Sequence, residues 1–95
     1  MTQERIARRI HVKGRVQGVW FRAWTVEQAT ELGVDGWVRN RRDGSVEAVA
    51  VGPAAQVEEL ITRCHSGSPA SRVDRVIVED TPGVVAPGFT QKPTV

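Results

Sequence analysis

The 95-residue sequence predicts an α+β fold, a two-layer sandwich in the order β-α-β-β-α-β. The expected sheet is antiparallel, with two helices on one face. Three observations predict it. Stretches of period-two alternation flank two stretches of helical period. Asp43-Gly44 between two strand-like runs is a strong hairpin signal, because it supplies the positive φ that tight hairpin turns need. Glycine or proline punctuates most of the boundaries between elements.

The elements follow in order. Residues 8–13 alternate, with Ile10 and Val12 on one face and Arg9, His11 and Lys13 on the other, as in a half-buried strand. Gly14 and Gly18 then lie close enough together for the backbone to turn sharply. From Phe21 to Leu32 the pattern is helical: Phe21, Thr25, Ala29 and Leu32 share a stripe with Val26 beside it, while Glu27 and Glu31 face water. Gly33 ends that helix. Residues 34–41 form a second strand, with Val34, Gly36, Val38 and Asn40 on one parity and Trp37, Arg39 and Arg41 on the other. Val46 to Val51 return as a third strand, rich in Val and Ala with few charges, and therefore expected at the centre of the sheet. Gly52-Pro53 breaks it and starts a helix with Pro53 in the first turn. Val57, Leu60, Ile61 and Cys64, spaced i, i+3, i+4, i+7, are the clearest amphipathic stripe in the chain. Ser66 to Pro69 read as a loop, Val73 to Glu79 as a fourth strand and Asp80 to Gly88 as an irregular surface segment. Phe89 to Lys92 are a short edge strand, stopped by Pro93. With right-handed crossovers this order is the ferredoxin-like α/β sandwich.

Composition narrows the function. The chain is 40% apolar and 25% charged, a globular balance sized for one domain. The N-terminal stretch from Met1 to Arg9 has no apolar run behind it and does not read as a secretory leader, and no apolar run approaches the ~20 residues of a membrane helix. The net charge of +2 suits a small anion and falls short of a nucleic-acid footprint. A single cysteine, Cys64, excludes an internal disulfide and fits a reducing cytosol.

Several familiar constellations are missing. There is no Cys-x-x-Cys. Cys64 and His65 are adjacent on a helix, so they do not face each other, and Cys64 reads as core. His11 sits on a strand face with no carboxylate near it in sequence, which leaves a general base without a partner. Glu58-Glu59 and Glu79-Asp80 read as solvated charge. An RNA-binding sandwich would stack bases on aromatics of its central strands, and residues 45–51 contain none.

What remains is the glycine loop and two polar side chains. A loop that opens onto a helix N-terminus aims several N–H groups at one place, a ready anion site. Arg22 follows it, and a guanidinium grips an oxyanion bidentately. Asn40 closes Gly36-Trp37-Val38-Arg39-Asn40 near the end of the second strand, where it can meet the loop at one edge. Its amide carries donor and acceptor, which suits positioning a water; it equally suits helping the hairpin turn.

Gly14-Arg15-Val16-Gln17-Gly18-Val19-Trp20-Phe21-Arg22 resembles the first signature of the acylphosphatase family residue for residue. Gly36-Trp37-Val38-Arg39-Asn40 with Asp43-Gly44-Ser45-Val46 and Gly52 resembles its second. The resemblance covers roughly residues 6–80. It implies one acylphosphatase-like domain over residues 1–95 that hydrolyses an acyl phosphate to a carboxylate and inorganic phosphate. It implies that Arg22 binds the phosphoryl group with the amides of Arg15, Val16, Gln17, Gly18, Val19, Trp20 and Phe21, and that Asn40 orients the attacking water. No metal and no other cofactor is expected. The expected partners are a small-molecule acyl phosphate and phosphate or another small anion at the loop, with no nucleic acid and no membrane. A cytoplasmic monomer is expected. The alternative is a non-catalytic anion-binding or regulatory module, like the acylphosphatase-like domains attached to larger carbamoyl-transfer enzymes.

Overall fold

A computed structural model describes residues 4–95. Residues 1–3, part of the stretch weighed above as a leader, lie outside the described residues. The elements are β1 (Arg5–Arg15), α1 (Phe21–Leu32), β2 (Asp35–Asn40), β3 (Val46–Pro53), α2 (Ala54–Ser66), β4 (Arg72–Asp80) and β5 (Phe89–Gln91). They build a five-stranded sheet in the order β4-β1-β3-β2-β5, so the Val- and Ala-rich β3 is indeed central. Four strands pair antiparallel as expected, but β5 runs parallel to β2, with Gly36 opposite Phe89 and Val38 opposite Gln91. The sheet is therefore mixed rather than antiparallel. The cause is the Asp80 to Gly88 segment, which carries the chain from the β4 edge across to the far edge, so the chain returns in the direction of β2.

Alternation decides which face is dry. Ile10, Val12, Val38, Val46, Ala48 and Ala50 point to one side of the sheet, where they are buried with Phe21 and Ala29 of α1 and Val57, Leu60 and Cys64 of α2. Fully burying a side chain of this kind contributes ~1.5–3 kcal/mol, so this layer is the main source of stability. Arg63 of α2 donates to Gln28 Oε1 at 2.7 Å and ties the two helices together. Gly33 caps α1 in the left-handed conformation, its N–H reaching the carbonyls of Ala29 and Thr30. Pro53 lies one step earlier than expected: it is the last residue of β3 and the cap of α2, not part of the first turn.

The other face of the sheet mixes charge with buried Val49 and Val51 and is not bare. Gly83, in the connection to β5, crosses it against Ala7 and Val51. Towards the β2–β3 hairpin sits Glu47 of β3, 1% exposed. Arg39 Nη2 and Arg41 Nη1 lie 2.7 Å and 3.1 Å from Glu47 Oε1, while Arg9 Nε and His11 Nε2 lie 3.4 Å and 3.7 Å from Oε2. His11 therefore does have a carboxylate partner, supplied across the β1–β3 ladder and invisible to local sequence. Burial pushes the Glu47 carboxyl up, but the hydrogen bond and charge of Arg39, and then those of Arg41, outweigh it and hold it below its ordinary value. No helix among the described residues is long and apolar enough to cross a membrane.

Candidate active site

The chain between β1 and α1 is the least regular part of the site. Gly14 sits at the β-bulge where β1 shifts register against β4, with φ of 133°. A Cβ there would run into the Arg72 carbonyl, so any other residue would push β4 away. Gly18 has φ of 72°, and Trp20 has φ of 64°. Trp20 is the one non-glycine residue with positive φ among the described residues, and its indole is 84% exposed. A left-handed non-glycine residue costs on the order of 1–3 kcal/mol and persists where the surroundings over-determine it.

Those surroundings are visible. Val16 and Phe21 are each 1% exposed and anchor both ends of the loop in the core. Gln17 fastens its middle: Nε2 donates to the Arg41 carbonyl at 2.6 Å and to the Ser45 carbonyl at 2.8 Å, both in the β2–β3 hairpin. Thr25 Oγ1 donates to the Phe21 carbonyl at 2.8 Å and closes the first turn of α1. That turn has no side-chain cap and no acidic residue. Its free N–H groups keep their partial positive charge. Arg22, the second residue of α1, adds a full charge and has no ion-pair partner among the described residues. A cation in the first turn opposes the helix dipole by ~0.3–1 kcal/mol. An anion seated there would reverse the sign of that term.

Asn40 belongs to the regular half. It pairs with Val46 across the hairpin, and its carbonyl accepts the Val95 N–H at 3.2 Å. Val95 in turn accepts the Arg42 N–H at 2.7 Å, so the C-terminal tail braces this strand end. Arg39 and Arg41, on either side of Asn40, are held to Glu47 on the opposite face, and alternation turns Asn40 towards the helix side. Asp43 Oδ1 accepts from Ser45 N–H at 2.9 Å and Ser45 Oγ at 2.6 Å, which shapes the turn and holds that carboxyl below its ordinary value. Asn40 Oδ1 is buried and has no hydrogen-bond partner among the described residues.

The two halves meet in one cleft of about 330 Å³. Of the residues expected at the site, Val16, Gly18, Trp20, Phe21, Arg22 and Asn40 line it. Arg15, Gln17 and Val19 do not: Arg15 is still in β1, paired with Arg72, Gln17 turns to the hairpin, and Val19 lines a neighbouring groove. Ala23 and Gln91 complete the wall. Gln91 was missed by sequence reasoning because β5 reaches the site through a long connection; the signal available was the short strand pattern of residues 89–92 itself. No group of three or more His, Cys, Asp or Glu that could hold a metal ion occurs among the described residues. Burial pushes the Cys64 thiol up to about 12, which keeps it protonated and unreactive at neutral pH, and His65 is exposed on another side of α2.

A family model described as Acylphosphatase matches residues 8–90. A protein named Acylphosphatase from Rhizorhabdus wittichii is 83% identical over 92 residues, 97% of this chain and 93% of that protein. A solved acylphosphatase from Coxiella burnetii superposes with a TM-score of 0.89 at 33% identity, covering 97% of this chain and 100% of that one. Full-length HypF, in a phosphate- and nucleotide-bound crystal structure, contains a similar region with a TM-score of 0.86 and 25% identity, covering 99% of this chain and 13% of HypF.

Proposed function

The chain belongs to the acylphosphatase family and hydrolyses acyl phosphates to a carboxylate and inorganic phosphate, and we propose that Arg22 and Asn40 divide that reaction between them. Arg22 and the loop amides bind the phosphoryl oxygens. Asn40 accepts a hydrogen bond from the attacking water through Oδ1 and aims the water's oxygen at phosphorus. The water oxygen bonds to phosphorus as the bond from phosphorus to the acyl oxygen breaks; the bond electrons leave with the carboxylate. The water's proton passes to a phosphoryl oxygen. No strong base is required, because the leaving group is already a good one and charge develops chiefly on oxygens that the cradle contacts.

One observation carries the assignment. Among the described residues, an unpaired guanidinium at an uncapped helix N-terminus shares a cleft with a buried, unpartnered amide oxygen. The test is hydrolysis of acetyl or benzoyl phosphate in EDTA by the natural protein and by Arg22→Ala. Sustained turnover in EDTA with near-complete loss in the variant is expected. Unchanged turnover by Arg22→Ala overturns the assignment, and phosphate binding without any turnover marks an anion-binding module instead.

We further infer a cytoplasmic monomer, one domain over residues 1–95, that acts on a small-molecule acyl phosphate without a metal or other cofactor. In favour of that compartment, a lone cysteine fits a reducing one.

A further inference from the structure

Beside the phosphate cleft lies a second concavity, an apolar groove of about 370 Å³. The two share Trp20 and Ala23 among their lining residues, so they adjoin. Val19 and Trp24 form the α1 side of the groove, and Ala70, in the connection between α2 and β4, forms the other. That connection is preformed: Ser71 N–H and Oγ both donate to the Ser68 carbonyl, at 3.0 Å and 2.9 Å. Glu27, one turn beyond Ala23, is the one ionisable residue lining the groove.

We propose that this groove holds the acyl group of the substrate, and that it selects an uncharged, apolar or aromatic acyl phosphate over one whose acyl chain ends in a second anion. The proposal rests on the reading that Arg22 and the loop hold the phosphoryl group. A phosphoryl group seated there carries its acyl carbon one bridging oxygen away, so the acyl chain must lie along an adjoining wall. The phosphate cleft itself presents Arg22, Asn40 and Gln91, whereas the adjoining groove presents mainly hydrocarbon and indole, with Glu27 and Ser68 as its polar residues. Trp20 is the hinge between them. Its strained backbone holds a large apolar side chain 84% exposed, an arrangement that folding does not reward and that an apolar ligand lying over it would. Glu27 lines the same groove and is exposed there, so a terminal carboxylate or phosphate lying along it is repelled.

The test compares kcat/KM for acetyl, benzoyl and succinyl phosphate. In the natural protein benzoyl phosphate is expected to exceed acetyl phosphate by about tenfold or more, the scale on which filling an apolar pocket discriminates. Ala70→Gln, at an exposed loop position, puts a neutral polar side chain against the groove. It should remove most of the benzoyl advantage through KM and leave acetyl phosphate within about twofold, since acetyl is too short to reach that wall. Glu27→Gln should raise succinyl phosphate about two- to fivefold, as expected for one exposed charge, without changing acetyl phosphate. No benzoyl preference in the natural protein, or a benzoyl advantage untouched by Ala70→Gln, or a parallel loss on both substrates, overturns the groove assignment while leaving the phosphate site standing. No hydrolysis of any of the three overturns the phosphate reading on which it rests.

Discussion

The cleft has two halves built on opposite principles. The loop half, Gly14 to Arg22, is irregular, carries positive φ at Gly14, Gly18 and Trp20, and leaves a guanidinium without an ion pair and a helix N-terminus without a side-chain cap among the described residues. The strand half, around Asn40, is a regular ladder: paired with Val46 on one side, braced by the tail at Val95 on the other, and backed by the Arg39–Glu47–Arg41 cluster. Under the proposed division of labour, the difference follows from what each half would present. Backbone N–H groups point at a ligand only where they are withdrawn from secondary structure, so a phosphate cradle must be irregular and must be stapled from outside. A side chain that positions one water needs the opposite, a backbone with no freedom, and a strand buried in a sheet supplies it.

The largest effect should come from breaking the loop half. Arg22→Ala removes the one charged side chain that lines the cleft and is expected to lower kcat/KM ~10³-fold or more, read by hydrolysis of benzoyl phosphate. Asn40→Ala should lower kcat ~10²–10³-fold with KM little changed, because it removes alignment of the water rather than of the substrate. Gln17→Leu tests the staple between the halves. It cuts both bonds to the hairpin carbonyls while the loop ends stay anchored by Val16 and Phe21, so a loss of about tenfold in kcat/KM is expected, with the variant still folded by circular dichroism. Glu47→Gln sharpens the strand half at neutral pH by loosening the arginines beside Asn40, and a lowered Tm is expected.

Glu47 also fixes an acid limit. Its folded-state pKa is depressed, so its contribution to stability is present above the ordinary carboxylate value of about 4.3 and is lost as pH falls through the lower folded value. Asp43 acts in the same sense at the hairpin turn. Denaturant midpoints measured from pH 7 to pH 3 should fall in the lower part of that range, and the fall should be smaller in Glu47→Gln. A midpoint that rises on acidification would contradict the sign.

The helix-covered side of this molecule was legible in the sequence because it obeys one rule. Ile10, Val12, Phe21, Ala29, Val57, Leu60 and Cys64 are apolar at strand or helix spacing, and burial follows period. Arg22 and Asn40 were singled out by the resemblance of two local stretches, a glycine loop and a hairpin, and both line one cleft. Glu47 was not, since a lone acid in an apolar strand gains its meaning from Arg9, His11, Arg39 and Arg41 on the neighbouring strands, and register is set by tertiary pairing. The direction of β5 and the place of Gln91 were hidden for the same reason, because the Asp80 to Gly88 segment has no periodicity from which its path could be read.

The division of labour can be measured directly with inorganic phosphate as a competitive inhibitor. Asn40→Ala should keep the natural inhibition constant within about threefold while losing most of its kcat, whereas Arg22→Ala should weaken phosphate by tenfold or more, the loss expected for a charged hydrogen-bond donor. Equal weakening of phosphate in both variants would contradict the account, since Asn40 would then belong to the cradle and not to the water.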